Sequence, residues 1–344
     1  MAYFRSLETK LEALTRLWRK SDRWLIMMNA DPDALASAQA LKRIMTRKVA
    51  RVDSAQVNEI SRPDNLTMIK TLRIPTQRLT PNLAAQYDHF ALVDSQPHHH
   101  PAFKEHSFSL VIDHHPLVPE SPVQAEFKDI QPGYGATSTM LTEYLYSLKI
   151  RPGALLATAL LYGIKTDTQS FERQFSDTDV RAFRYLSKFA NHNLLRKISR
   201  SEFRLDWLKY FSLAFRKLRV NGNCLHVFMG RLDSPDILVI LGDFFLRLYG
   251  ISWTVTCGIS DETLVLIFRG DGVHQDIGKL AQKLFGDVGS AGGHATMARA
   301  EIPLASIGEH DPEEFVWARL RFSKRTLPLL KKLPTVSSTP SESA

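Results

Sequence analysis

Short apolar runs that each lead to an acidic motif recur in the first half of the chain, and this repetition limits the fold more than any other feature. The runs and motifs pair as follows: residues 24–28 with Asp31-Pro32-Asp33, residues 90–93 with Asp94, and residues 108–112 with Asp113-His114-His115. Helical patterns over residues 34–45, 136–148 and 154–165 alternate with these strand-like runs. Alternating strands and helices predict an α/β domain with a mostly parallel sheet flanked by helices. The acidic motifs then gather beyond the carboxyl ends of the strands, where such sheets hold their functional groups.

The second half of the chain predicts a smaller α/β domain. A turn at residues 221–223 precedes strand-like runs and helical patterns. Residues 286–293 are predicted to form a glycine-rich loop. The expected division is a catalytic domain over 1–205, a linker region over 206–222, a substrate-binding domain over 223–330 and a disordered tail over 331–344. The tail prediction rests on a final stretch rich in Ser, Thr and Pro.

The length and charge are consistent with a two-domain protein that has an anionic partner. The chain has 344 residues and a formal net charge of +8. This length exceeds one compact core of usual size, and a basic balance favours polyanionic partners. The basic clusters at 196–204 and 319–332 indicate solvated helix faces rather than a dedicated nucleic-acid stripe.

Two further sequence features favour a cytoplasmic protein. The two cysteines, Cys224 and Cys257, have neither metal-type spacing nor the density of a disulfide framework. The sequence shows no signal-peptide pattern at its start, and no apolar stretch has the length needed to span a bilayer. We therefore expect reduced thiols and no membrane partner.

The acidic motifs carry more information together than apart. Each alone is typical of a turn or a helix cap, although an Asp-His-His triplet directly after a buried strand is unusual. Carboxylates with an imidazole suit hard or borderline ions such as manganese. Five candidate ligands are more than one closed site needs, which predicts two metal ions that share a carboxylate. The candidates are Asp31, Asp33, Asp94, His114 and Asp167.

These motifs, in this order, resemble the DHH phosphoesterase superfamily. The acidic pair lies in residues 31–37, and Asp94, Asp113-His114-His115 and Asp167 follow. The second domain resembles the DHH-associated C-terminal domain, whose marker is Gly292-Gly293-His294 preceded by Arg269. The resemblance covers residues 20–305 approximately and implies an active site in the cleft between the two domains.

The resemblance implies a role for each candidate residue. Two manganese ions are expected, with magnesium as the alternative. The ligand roles divide as follows: Asp33, His114 and Asp167 on one ion, Asp31 on the other, and Asp94 as the bridge. The catalytic pair would be His115, facing the substrate phosphate, and Asp113, supporting the site. The residues that bind the substrate would be Arg269, Gly292, Gly293 and His294.

The sequence departs from the superfamily pattern at Met27. Many members have a histidine at this position, four residues before the first Asp of the acidic pair. A thioether is a poor ligand for manganese, so the first metal site is weak, altered or empty, unless Asn29 on the same strand face supplies an oxygen. The loop at 290–293 is also shorter in glycine than the usual loop, and His98-His99-His100 reads as a surface loop.

The function implied is metal-dependent hydrolysis of short oligonucleotides or nucleotide phosphates, including 3′-phosphoadenosine 5′-phosphate. The alternatives are a cyclic or linear dinucleotide phosphodiesterase, a RecJ-like single-strand exonuclease, and a nucleotide-binding protein with weakened catalysis. The expected partner is a short nucleic acid or nucleotide, and a homodimer is compatible with the sequence.

Overall fold

The computed structural model describes residues 3–321, except residues 5 and 202. The chain divides into two compact units, Met1–Arg204 and Leu205–Ala344. The tail predicted over 331–344 lies outside the described residues, as does the end of the basic cluster at 319–332.

The first unit is built on a six-stranded sheet. Its strands are β1 Arg23–Met28, β2 Arg51–Gln56, β3 Gln77–Arg78, β4 His89–Val93, β5 Leu110–Asp113 and β6 Phe127–Ile130. Their order in the sheet is β3-β2-β1-β4-β5-β6, and every pairing is parallel. The carboxyl ends of all six strands therefore lie at one edge of the sheet.

Helices accompany this sheet along the chain. They are α1 Glu8–Arg16, α2 Pro32–Met45, α3 Pro63–Leu72, α4 Pro81–Ala84, α5 Thr137–Ser147, α6 Ala154–Asp167, α7 Asp177–Leu186 and α8 His192–Ser199. Five of the six residues of β1 are buried. Ile26 and Met28 belong to one apolar cluster, and Leu25 and Met27 to another. Alternate side chains of β1 thus enter two cores, as expected for a central parallel strand covered on both faces.

The second unit contains a mixed sheet. Its strands are β7 Arg219–Asn221, β8 Cys224–Arg231, β9 Trp253–Ser260, β10 Thr263–Gly270, β11 Ser290–Gly293 and β12 Met297–Pro303. The order is β11-β12-β10-β9-β8-β7, in which only β8 and β9 pair in parallel. Its helices are α9 Leu208–Lys217, α10 Asp236–Leu246, α11 Ile277–Phe285 and α12 Pro312–Arg321. The α/β class expected from the sequence is confirmed.

Two stretches differ from the sequence expectation. Residues 206–222, expected as a linker, contain α9 and β7 instead. Phe211 and Ala214 of α9 are buried with Leu225 in the core of the second unit. Residues 290–293, expected in a glycine-rich loop, form β11, because their backbone pairs antiparallel with β12. Alternate residues of β12 are buried, which is the period-two pattern of a strand.

No helix within the described residues is long and apolar enough to cross a membrane.

The core of the second unit provides a test of this fold. Phe268 on β10 is fully buried, and its ring centroid lies 5.9 Å from that of Phe285. Phe268→Ala should lower the free energy of unfolding by about 3–5 kcal/mol, because it removes buried apolar surface and leaves a cavity. Val273→Ala, at a side chain that is 83% exposed, should change it by less than about 0.5 kcal/mol. Chemical denaturation followed by circular dichroism measures both, and equal losses would contradict the core assignment.

Candidate metal centre

Four side chains converge at the carboxyl edge of the parallel sheet. Asp33 lies in the first turn of α2 after β1, Asp94 directly follows β4, His114 directly follows β5, and Asp167 is the last residue of α6. One potential ligand atom from each lies within 4.8 Å of the other three. We call these residues the four-residue cluster. His114 Nε2 is 3.1 Å from Asp167 Oδ2 and 3.4 Å from Asp94 Oδ1.

The start of α5 orients Asp33. The carboxylate is fully buried. The backbone N–H of Thr137 donates to Oδ2 at 2.6 Å, and that of Ser138 donates to Oδ1 at 2.8 Å. These N–H groups belong to the first turn of a helix, where they have no partner within the helix and carry partial positive charge. Their hydrogen bonds compensate part of the cost of burying a carboxylate.

Gly163 on α6 leaves the space that Asp33 occupies. A Cβ at this position would lie 2.6 Å from Ser138 Oγ and 3.0 Å from Asp33 Oδ1. Glycine is therefore required here for close packing of three elements around one carboxylate.

Asp94 is held in an uncommon backbone conformation. Its φ is +55°, in the left-handed region that residues other than glycine rarely adopt. Its N–H donates to Ile112 O at 2.9 Å, and Thr137 Oγ1 donates to Asp94 Oδ1 at 2.9 Å. Strained residues of this kind concentrate at functional sites, where the surrounding structure holds them in place.

His114 is oriented as metal-binding imidazoles commonly are. Its Nδ1 lies 3.2 Å from the carbonyl oxygen of Tyr134, which can only accept a hydrogen bond. The proton of the neutral ring is therefore on Nδ1, and Nε2 carries a lone pair. Nε2 is buried and makes no hydrogen bond of normal geometry with any described residue. Once the ring is neutral, this buried lone pair and the carboxylates that it faces fit a bound cation.

The electrostatics of the centre also fit a cation. Burial, together with repulsion from neighbouring carboxylates, raises the pKa of Asp31 and of Asp33 to about 6. The same causes raise the pKa of Asp94 well above its usual value and also raise that of Asp167. Burial opposes the charged form of His114, but its contact with Asp167 and the charge of Asp33 raise its pKa to about 9. A divalent ion would relieve this crowding of negative charge.

Asp31 stands apart from the four-residue cluster. Its Oδ1 accepts a hydrogen bond from Ala34 N at 2.9 Å and so caps α2. Met27, which replaces a histidine common in the superfamily, is fully buried in an apolar cluster with Leu25 and Leu92. A second group of potential ligands, Asp94, His114 and His115, shares two residues with the four-residue cluster, and its ligand atoms also lie within 4.8 Å of one another.

A buried carboxylate fixes the orientation of His115. Asp113 is fully buried. Its Oδ1 lies 2.8 Å from His115 Nδ1, and its Oδ2 accepts from Gln96 Nε2 at 2.8 Å. Burial alone would raise the pKa of Asp113, but the hydrogen bonds from His115 and Gln96 outweigh it and lower that pKa. An ionised Asp113 keeps the proton of His115 on Nδ1, so that Nε2 of this half-exposed ring remains available.

No strong pattern in the sequence points to the residues that orient the cluster and His115. Tyr134, Thr137, Ser138 and Gly163 position the cluster, and Gln96 holds Asp113. A weak signal was present for some of them. Thr137 and Ser138 begin a run of hydroxyl residues that opens a helix, and Gln96 stands two residues after Asp94 at a strand end.

The substrate-binding candidates all lie in the second unit. Arg269, near the end of β10, donates from Nε to Asp243 Oδ1 at 2.7 Å and from Nη1 to Phe268 O at 3.1 Å. Gly292 and Gly293 are in β11, and His294 is exposed directly after it. Gly293 has a φ of +156°, and a Cβ there would collide with Met297 O. Their role in binding remains a prediction.

Comparison with known proteins agrees with this geometry. Residues 23–164 match the model of the DHH family, N-terminal domain. An uncharacterized protein of Methanocaldococcus jannaschii is 33% identical over 281 residues, which are 81% of this chain. The chain spans 57% of that relative's length.

A solved structure shares the fold. The exopolyphosphatase-related protein from Bacteroides fragilis superposes with a TM-score of 0.68 at 14% identity, covering 91% of this chain and 95% of that one. DHH phosphoesterases depend on divalent metal ions, and the four-residue cluster has the composition such ions require. Residues 23–164 are thus similar to the N-terminal domain of the DHH family, and the first unit carries a candidate metal centre of the kind that such phosphoesterases require.

Proposed function

We propose that this protein hydrolyses phosphate esters of short oligonucleotides or nucleotides with the help of manganese ions. The observation that carries the proposal is the buried Nε2 of His114, which makes no hydrogen bond of normal geometry within the described residues and faces Asp94 and Asp167. Such an arrangement is costly unless positive charge completes it, either a proton on Nε2 or a metal ion that replaces this proton. An imidazole among carboxylates favours manganese, and magnesium is the alternative.

The ligand roles follow from the arrangement. We assign Asp33, His114 and Asp167 to one ion, Asp94 to the position shared by two ions, and Asp31 to the other ion. When bound, the ions supply an activated water and neutralise the charge of the phosphate. The backbone N–H groups of Thr137 and Ser138 keep Asp33 in position, and the Tyr134 carbonyl keeps the lone pair of His114 directed at the cluster.

His115 acts on the substrate rather than on the metal in this proposal. Asp113 accepts from its Nδ1, so Nε2 is free to take up a proton and then to donate a hydrogen bond to a phosphate oxygen. This group can therefore stabilise charge that develops on the phosphate or pass a proton to the leaving oxygen. Gln96 holds Asp113 from its other oxygen, which keeps the imidazole in one orientation.

The second unit provides the nucleotide-binding residues in this proposal. Gly292 has open space at its Cβ position, so its backbone can approach a phosphate closely. Arg269 and the exposed His294 can bind phosphate charge or a base. The net charge of +8 favours an anionic substrate.

One observation favours a second candidate, a nucleotide-binding protein with weak catalysis. Met27 packs in an apolar cluster, and Asp31 stands outside the four-residue cluster. A protein that holds only one ion would bind phosphate but lack the second charge for efficient hydrolysis.

Hydrolysis of a substrate panel separates the two candidates. The panel contains 3′-phosphoadenosine 5′-phosphate, short oligoribonucleotides, cyclic dinucleotides and longer single-stranded DNA, each with added manganese. Release of product from a short substrate, abolished by a chelator, supports the hydrolase. If every substrate survives while the metal content is verified, the binding protein is the better account.

Removal of the shared carboxylate should abolish hydrolysis. Asp94→Ala should lower kcat by roughly three orders of magnitude or more, because it removes a ligand common to both ions. Asp129→Asn is the matched control, since Asp129 is a buried carboxylate paired with Lys10 rather than with the cluster. It should lower stability but spare manganese affinity. Activity near the native level in Asp94→Ala would rule out the shared-ligand arrangement.

Crowding of Asp33 should weaken metal binding without removing any ligand. Gly163→Ala places a methyl group against Ser138 and Asp33. Manganese affinity should therefore fall by about tenfold or more, which is the loss expected when one ligand is displaced. Gly153→Ala adds the same methyl group before the first turn of α6, in open space, and should keep native affinity. Titration calorimetry compares the two, and indistinguishable affinities would show that the position of Asp33 does not matter.

Metal binding should release protons. Because His114 has a pKa of about 9 in the metal-free protein, it is protonated at pH 7.5 and must lose this proton to bind a cation. Asp31 and Asp33, with pKa values of about 6, should become protonated below that pH and weaken binding further. Calorimetry in two buffers of different ionisation enthalpy measures the release, which His114→Gln should remove. Affinity that is independent of pH between 5.5 and 8 would contradict the assignment.

A further inference from the structure

The histidine run 98–100 has no part in the proposed chemistry, yet it lies next to it. These residues fall in two 3₁₀ turns, Pro97–His99 and Pro101–Glu105, which follow Asp94. The rings of His99 and His115 are nearly perpendicular, with centroids 5.3 Å apart. The centroids of His115 and His114 are 4.5 Å apart. Three imidazoles thus lead from the candidate metal centre to the exposed His99.

Local contacts settle which nitrogen of His99 carries the proton. The backbone N–H of Gln96 donates to His99 Nδ1 at 3.2 Å, and Ser95 Oγ lies 3.2 Å from the same atom. A backbone N–H can only donate, so Nδ1 is an acceptor. The neutral ring therefore carries its proton on Nε2, away from the turn that anchors it.

His99 and His115 have complementary tautomers. His115 directs its Nδ1 proton to Asp113 and leaves a lone pair on Nε2, whereas His99 accepts at Nδ1 and has an N–H at Nε2. His115 can accept a proton at Nε2. Neutral His99 donates a hydrogen bond from the corresponding nitrogen, Nε2. A phosphate suits such a pair, because one of its oxygens can accept from His99 Nε2–H while a proton is shared between another oxygen and the lone pair of His115 Nε2.

The other two histidines of the run are placed differently. The Nδ1 of His100 accepts from Ala102 N at 3.1 Å, and its ring lies 5.7 Å from that of the fully buried Phe103. His98 is half-buried, and its contact is with His99 at 4.5 Å between centroids. Among the three, only His99 combines exposure, an anchored Nδ1 and a position beside His115.

We propose that His99 is a substrate-binding residue whose Nε2–H donates a hydrogen bond to an oxygen of the phosphate that His115 faces. This inference rests on the proposed function of the site. It adds a donor that the DHH motif itself does not contain, supplied by the turn after Asp94. The ligand class is a phosphate with at least one non-bridging oxygen accessible from the surface.

Two substitutions separate phosphate contact from a structural role in the turn. His99→Asn keeps an acceptor near the position of Nδ1 but loses the outer N–H, whereas His99→Gln keeps an outer N–H and loses the anchor. His100→Asn is the matched control from the same run. The probe is inorganic phosphate added to the full chain loaded with manganese, and binding is measured by calorimetry, which does not require turnover.

His99→Asn should weaken phosphate binding by roughly tenfold, the loss expected for one hydrogen bond to a charged group. His99→Gln should retain more affinity than His99→Asn, and His100→Asn should match the native protein. Manganese affinity should be equal in all four proteins. Native-like binding by His99→Asn, or greater loss in His99→Gln, would overturn the proposal, as would absence of phosphate binding by the native protein. Phosphate binding without turnover on any substrate would count against the proposed function alone.

Discussion

Burying several carboxylates close together costs free energy, and the arrangement of the first unit around its candidate metal centre offsets this cost. Like charges at such distances repel strongly, and burial removes the water that would screen them. Free energy gained elsewhere must offset this cost in the metal-free protein. The raised pKa values of Asp33 and Asp94 reflect the crowding, and a bound cation is the arrangement that relieves it.

The surrounding elements compensate the carboxylates in different ways. The first turn of α5 donates two backbone hydrogen bonds to Asp33 and one hydroxyl hydrogen bond to Asp94. Gln96 donates to Asp113, which in turn fixes His115. The Tyr134 carbonyl and Gly163 complete the set by orienting His114 and by leaving space. The site is thus an arrangement of hydrogen-bond donors and spaces as much as one of carboxylates and an imidazole.

The sequence pattern points to the residues of the four-residue cluster but not to the residues that orient them, for a physical reason. Asp33, Asp94 and His114 each follow a short apolar run, so local pattern and the geometry of parallel strands place them at one edge. The supports come from distant chain segments: Thr137 and Ser138 are 104 and 105 residues from Asp33. No local pattern encodes such contacts, because they arise only when α5 packs against the sheet.

In the second unit, local sequence patterns indicated a loop and a linker where the structure has regular elements. Glycines at 292 and 293 favoured a loop, but pairing with β12 makes them a strand. The stretch 206–222 resembled a linker because Asn221-Gly222-Asn223 marks a turn, yet Phe211 packs α9 into the core. In both places tertiary pairing overrode local propensity. Met27, by contrast, departs from the superfamily pattern in the sequence itself, and its burial in an apolar cluster gives it a structural role there.

The central claim is that a divalent cation occupies the four-residue cluster. Anomalous scattering from crystals of the full chain grown with manganese locates such an ion directly. The account predicts a strong anomalous peak enclosed by Asp33, Asp94, His114 and Asp167, with any weaker second peak on the side of Asp31. Crystals saturated with manganese that show no peak at the cluster, or a peak only elsewhere in the molecule, would contradict it.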